Sequence, residues 1–234
     1  MNQSEYYDKF ADEVFVKYFS VYNPRLAAAE KLCRKFVANG DAVLEVGCGV
    51  GVIAKCLQSK VRYYFGSDLS NKALEIAKTV CAAKVGKRVR MKFVNKKVSE
   101  LNFLESKFEA IVLIDVIEHL ENFYTDLQKL SEMLSNTGRL IIQCPTPEAT
   151  VKNATPQIVE NSIRIEGIML ATGLRLIYLN YFGVEHEDQY VQLVLAKQLP
   201  VKSIETNRIL SGLKSRWLRL KNRRILDFLQ NLPG

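Results

Sequence analysis

Asp115, Glu118 and His119 follow directly on an almost wholly aliphatic run, Ala110 to Ile114, and their types are those of acid–base chemistry. An imidazole with an ordinary pKa near ~6.5 can take a proton at neutral pH, and a neighbouring carboxylate can orient the ring. If a helical turn starts here, the offsets of three and four residues put all three side chains on one face. Two other readings stay open. The trio can ligate a divalent cation, or Glu118-His119 can cap the turn and shape a pocket wall without doing chemistry. The only other histidine, His186, is a weak candidate for a distant second ligand.

A second constellation lies upstream. Glu45-Val46-Gly47-Cys48-Gly49-Val50-Gly51 joins a short apolar run, residues 42–46, to a helical stretch at about 51–59. Glycines at alternate positions let the backbone turn tightly and approach a ligand closely. The loop feeds a helix N-terminus, whose free N–H groups attract a carboxylate or phosphate. Glu45 stands where a cationic amino group can be met. Asp68, nineteen residues after Gly49, ends the next strand beside the loop, where a carboxylate can accept both ribose hydroxyls. Gly49-x-Gly51-x-x-Ala54 with Asp68 also satisfies the dinucleotide pattern, so the loop taken alone is ambiguous.

The elements that must position these groups alternate. Residues 5–20 and 24–38 read as helices broken at Asn23-Pro24. Strands follow at 42–46, 61–68, 89–95, 110–114 and 139–144, with helices at about 51–59, 71–84 and 122–134 between them. Ser70 is placed to cap the helix at about 71–84, and Asn136-Thr137-Gly138 reads as a helix C-cap. Such alternation implies right-handed crossovers and a parallel sheet covered on both faces. A helix at about 157–172 then leads to strands 174–182 and 190–196. The seven residues between them are too few for a crossover helix, so these strands pair antiparallel. The expected fold is α/β: a doubly wound, mainly parallel, seven-stranded sheet closed by a C-terminal antiparallel hairpin. Two leading helices, Glu45 and that hairpin together favour a sulfonium cofactor over a nicotinamide.

In order and spacing, VLEVGCGVG, GSDLS, IVLIDVIEHL and GRLIIQCPTP resemble the successive motifs of class I S-adenosylmethionine-dependent methyltransferases. The resemblance covers about residues 20–197 and is greatest to the ubiquinone-biosynthesis O-methyltransferase-like subgroup, which has a similar Asn-Pro-x-Arg-Leu stretch; here it reads Asn23-Pro24-Arg25-Leu26. It implies that Arg25 pairs with the cofactor carboxylate and that Gly47, Cys48 and Gly49 contact its methionine part. It further implies that Glu45 holds the amino group, Asp68 the ribose, Leu69 the adenine face, and that Ile114 offers a carbonyl. Lys96-Lys97-Val98 departs from the Gly-Asp-Ala of relatives: Val98 N–H can reach the adenine ring, but a lysine cannot accept from its amine. The implied roles at the other end are His119 as base with Glu118 or Asp115 orienting it. A divalent metal is possible and not favoured. Tyr6 and Tyr7 are candidates for an aromatic lid over the cofactor.

The chain has 234 residues, 48% hydrophobic and 25% charged, and lacks an 18-residue apolar run. Its start has neither the basic nor the apolar region of a signal peptide. Five scattered cysteines without a CxxC pair argue against a zinc site or a disulfide framework, which suits a reducing cytoplasm. Six of the eight net positive charges fall in residues 201–234. We therefore expect a domain over 1–200, with 1–40 as its helical lid, and a basic amphipathic helical tail over 201–234. That tail can dock on the body, lie on an anionic membrane surface or, less readily, meet nucleic acid. The expected acceptor is a hydroxyl of a small, glycan or lipid-linked molecule. The alternatives are an RNA-directed methyltransferase and an inactive cofactor-binding scaffold.

Overall fold

A computed structural model describes residues 4–9, 11, 22–82, 89–103, 107–146, 165–184, 187–197 and 205–206. The expected tail beyond 206, His186 and most of the expected helices at 5–20 and 157–172 lie outside these residues. Residues 4–9 form helix α1. Helix α2, Pro24–Phe36, starts where the Asn23 side chain accepts from the N–H groups of Arg25 and Leu26, with Pro24 needing no donor partner in the first turn. It buries Leu26, Ala29, Leu32 and Cys33 against the sheet, and each leucine so buried contributes about 1.5–3 kcal/mol.

The sheet is built from β1 (Ala42–Val46), β2 (Tyr63–Asp68), β3 (Arg90–Asn95), β4 (Phe108–Ile114), β5 (Leu134–Pro145), β6 (Arg175–Val184), β7 (Glu187–Ala196) and β8 (Glu205–Thr206). Their order is β3-β2-β1-β4-β5-β7-β6-β8. The first five strands run parallel, and β7 pairs antiparallel with both β5 and β6, as the short hairpin connection requires. The two-residue β8 adds a parallel edge pairing to the seven expected strands, drawn from the segment read as tail. Helices α3 (Val52–Leu57), α4 (Asn71–Ala82), α5 (Phe123–Met133) and α6 (Ile165–Thr172) complete the layers. One apolar core packs α5 and α6 against Leu44, Ile111 and Leu140; the other packs α2 and α3 against Val43, Val112 and Ile141. Alternate residues of the same strands thus feed opposite faces, which is why the central strands are mainly apolar on both faces.

Two expectations need correction. Asn136-Thr137-Gly138 is no helix cap: α5 ends at Met133 and β5 begins at Leu134, running through all three. Gly138 is there because a Cβ would meet the Phe108 carbonyl oxygen at 2.9 Å, so the glycine lets β5 approach β4. The turn after β4 is also not α-helical. It is a 3-10 turn, Ile117–His119, entered through Asp115 in a left-handed conformation at φ 54°. Asp115 therefore stands outside the turn, and the three-on-one-face arrangement does not form. Ser70 does cap α4, its hydroxyl accepting from Ala73 N–H at 3.0 Å.

Candidate cofactor and acceptor cleft

Sheet order reverses between β1 and β4, and a cleft of about 320 Å³ opens at the carboxyl ends of β1, β2 and β4. That is where open α/β sheets bind ligands. The glycine loop forms its floor. Gly47, Gly49 and Gly51 all have positive φ, at 68°, 49° and 83°. A side chain on Gly47 would collide with Val116 from the opposite wall, so the glycine lets the two walls meet. Gly47 and Cys48 N–H groups bind the Ser67 carbonyl at 2.7 and 3.0 Å, stapling the loop to the end of β2.

The Asp68 carboxylate receives Gly49 N–H at 2.7 Å on one oxygen and Ser70 N–H at 2.9 Å on the other. Each oxygen keeps a further lone pair for a ligand. Burial raises its pKa, and the backbone donors from Ser70 and Gly49 pull it back. Glu45 lies deeper, 2% exposed, with Oε2 unpartnered among the described residues. Burial first, then the Asp68 charge, pushes it well above the usual carboxylate range. A buried carboxyl without a partner is costly, on the order of 1–3 kcal/mol or more, and a cation entering the cleft would relieve that cost.

Arg25, in the first turn of α2, reaches over the cleft and meets Asp115 with Nε 3.3 Å from Oδ2. Its guanidinium also lies 5.8 Å from the Tyr190 ring centre, and Tyr190 stacks on Phe182. Burial raises Asp115 to about 6, with Arg25 and then Gln143 opposing. Glu118 is 5% exposed and is pushed up to about 8 by burial and by Asp115. His119 packs edge-on to Tyr7 at 6.3 Å, and its Nε2 is 4.0 Å from Glu118 Oε1. Burial holds its pKa below the ordinary value, which keeps the imidazole neutral near pH 7. Tyr7 itself is pushed up to about 12, chiefly by burial and then by Asp68, so it remains a phenol.

All the residues singled out from sequence, Glu118 excepted, line this one cleft: Arg25, Glu45, Gly47, Cys48, Gly49, Asp68, Leu69, Val98, Ile114, Asp115 and His119. Glu118 sits behind His119 instead. No group of three among the described residues is arranged to hold a metal ion, Asp115, Glu118 and His119 included. Of the tyrosine pair, Tyr7 lines the cleft while Tyr6 is 47% exposed. Helix α1 is tied down by Ser4, whose hydroxyl donates to the Leu69 carbonyl at 2.7 Å, and by Asp8, which accepts from Lys72 N–H at 3.1 Å.

Three contributors escaped sequence reasoning. Val116 closes the wall against Gly47, and Gln143 accepts Asp115 N–H on its carbonyl at 2.7 Å. Asp126, on α5, brings an acid to the end of the cleft lined by Lys97 and Val98. No motif announces it, because it arrives from the far wall.

Residues 44–142 match the family model described as a methyltransferase domain. Over these residues the chain is similar to methyltransferase domains. Among curated relatives, the mitochondrial ubiquinone biosynthesis O-methyltransferase of Schizosaccharomyces pombe is 24% identical over 127 residues, covering 54% of this chain and 46% of the relative. The (S)-coclaurine N-methyltransferase of Papaver somniferum is 27% identical over 118 residues, covering 47% of this chain and 31% of the relative. The chain thus spans less than half the length of either. Among solved structures, the N-methyltransferase NodS of Bradyrhizobium japonicum, in complex with S-adenosyl-L-homocysteine, superposes with a TM-score of 0.66 at 15% identity, over 83% of this chain and 98% of that one. That likeness establishes the Rossmann-like methyltransferase fold. One relative is an O- and the other an N-methyltransferase, so the domain does not by itself name the acceptor atom.

Among the described residues no helix is long and apolar enough to cross a membrane.

Proposed function

We propose that this chain transfers a methyl group from S-adenosylmethionine to a hydroxyl of a small, glycan or lipid-linked acceptor. The observation that carries the reading is Glu45: a buried, unpartnered carboxyl oxygen on the cleft wall between the glycine loop and Asp68. With Arg25 across the cleft and Asp68 beside the loop, the cleft offers an anion for an amino group, a cation for a carboxylate and acceptors for a ribose diol. These groups fit the cofactor end to end. When bound, S-adenosylmethionine supplies a methyl group on a sulfonium, open to in-line displacement.

The chain's own residues do the rest. Arg25, Glu45 and the Gly47–Gly49 backbone hold the amino-acid end, Asp68 the ribose, and Leu69, Val98 and Ile114 the remaining surface. Asp126 can accept from an exocyclic amine where Lys96 and Lys97 cannot. Alignment contributes most to such a displacement. Neutral His119 takes the acceptor hydroxyl proton at a ring nitrogen, and buried Glu118 behind it keeps the imidazole facing the cleft. Tyr7, on α1, covers His119 and excludes water, which is the lid role. Tyr7 gives this end an aromatic wall suited to a small, partly apolar acceptor, and Tyr190, stacked on Phe182, lies against the Arg25 guanidinium.

Release of S-adenosylhomocysteine across a panel of phenols, sugars, lipid-linked alcohols, amines and short RNAs, with magnesium and with chelator, tests the reading. Turnover on a hydroxyl acceptor, equal in both conditions, is the expected result. Turnover confined to amines or to RNA refutes the hydroxyl assignment, and cofactor binding with no turnover on any acceptor class points to the scaffold alternative.

A further inference from the structure

Strands β5, β7 and β6 carry one row of amide side chains where they face α2. Gln143, Gln192 and Asn180 stand side by side in register across the three strands, and the first two are 0% and 4% exposed. Their hydrogen bonds run in one direction. Asn180 Nδ2 donates to Gln192 Oε1 at 3.2 Å, and Gln192 Nε2 donates to Gln143 Oε1 at 2.9 Å. Gln143 Nε2 in turn donates to the Arg25 carbonyl at 3.3 Å, while Gln192 Nε2 also donates to the Ala28 carbonyl at 3.1 Å.

The ladder therefore leaves the sheet and ends on the first turns of α2, on the residue whose side chain reaches over the cleft. Gln143 also holds the other member of the Arg25–Asp115 pair, through its backbone carbonyl on Asp115 N–H at 2.7 Å. A row meant only to join strands needs no side chains, since the backbone already does so. Three satisfied amides in an apolar layer, aimed at one helix turn, specify a position instead.

We propose that Asn180, Gln192 and Gln143 are positioning residues that set where the Arg25 guanidinium meets the carboxylate of the cofactor. The proposal rests on the cofactor reading above. The ladder touches no substrate and acts through the Arg25–Asp115 pair, whose cation Arg25 is the member that meets the cofactor carboxylate, so most of its effect on ligand affinity must vanish when Arg25 is gone.

A double-mutant cycle on the full chain tests this, with calorimetry of S-adenosylhomocysteine binding and circular dichroism melts on the same samples. Gln192→Met keeps the volume and removes the donors. We expect Arg25→Met to weaken binding about tenfold or more, as loss of a charge-assisted contact does. Gln192→Met should weaken it roughly five-fold in the wild-type background and less than about two-fold in the Arg25→Met background. Equal weakening in both backgrounds, or no weakening while Arg25→Met still acts, overturns the ladder and leaves the cofactor reading standing. An Arg25→Met protein that binds as tightly as wild type removes the cofactor role of Arg25 and the inference with it. Should Gln192→Met fail to fold, Asn180→Leu removes only the outer rung, and the same cycle applies with a smaller, roughly two-fold effect expected.

Discussion

The two ends of the cleft solve the same problem, holding charged groups away from water, by different means. At the glycine-loop end, Asp68 is held by Gly49 and Ser70 N–H groups, and Gly47 and Cys48 bind the Ser67 carbonyl. These contacts join the ends of neighbouring strands β1 and β2. At the other end, Arg25, Asp115, Glu118 and His119 come from α2 and the turn after β4, braced from β5 and β7 at sequence separations of 118 and 164 residues. The first end is a backbone device that a short motif can encode. The second is a side-chain device, in which burial sets protonation: Asp115 is raised to about 6, Glu118 to about 8 and His119 is lowered. A cleft built this way can keep its backbone-held end constant while the side-chain end is free to vary.

If that division is right, damage at each end should leave the other intact. The largest effect is expected from His119→Ala, which should lower turnover by about 10²-fold or more, with S-adenosylhomocysteine affinity nearly unchanged. Steady-state kinetics on the true acceptor, paired with calorimetry, checks both halves. Because a base must be neutral and burial lowers the His119 pKa, the acid limb of wild-type turnover should fall below the ordinary value of ~6.5. Unchanged kinetics would return His119 to a wall-forming role.

Asp68→Ala should do the opposite, weakening cofactor binding by at least ~1 kcal/mol through lost charge-assisted hydrogen bonds. Turnover at saturating cofactor should suffer less. An unaltered calorimetric affinity would sink the ribose assignment.

The smallest effect sharpens the electrostatic half of the comparison. Glu118 is raised to about 8 in the folded protein, against ~4.3 when unfolded. The folded state thus binds the extra proton, and the stability this confers is fully present below ~4.3 and is lost as pH rises through about 8. The melting temperature of the unliganded protein should therefore fall from pH 5 to 8.5, and Glu118→Gln should flatten the upper part of that fall. The slope that remains belongs to the other carboxyls raised by burial, Asp115, Glu45 and Asp68. A variant that melts with the wild-type pH profile would show that Glu118 is not held protonated.

Much of this molecule was legible from residue order. The alternation of strand and helix, the antiparallel closure after β5, the helix break at Asn23-Pro24 and the Ser70 cap follow from period, spacing and local hydrogen-bonding chemistry. So does the gathering of Glu45 and Asp68 at one cleft, because a doubly wound sheet sends the carboxyl ends of its parallel strands to the same side, whereas Arg25 and Val98 were expected there only from the family resemblance. Where reading failed, a neighbour remote in sequence had intervened. Asn136-Thr137-Gly138 carries cap chemistry, yet pairing with β4 draws it into a strand. Spacing read Asp115, Glu118 and His119 as one helical turn, yet the chain passes through a left-handed Asp115 into a 3-10 turn.

By itself, the sequence determined the fold class, the glycine loop and the acid at the end of β2, since each depends on backbone conformation and contacts between elements that follow one another. Only the tertiary structure decided that Glu45 is buried without a partner for Oε2 among the described residues, that Gln143 and Gln192 donate to the Arg25 and Ala28 carbonyls, and that Glu118 is buried next to the cleft instead of lining it. Those outcomes turn on burial and on side chains meeting across the whole chain, and desolvation is a property of what packs around a residue rather than of its neighbours in sequence.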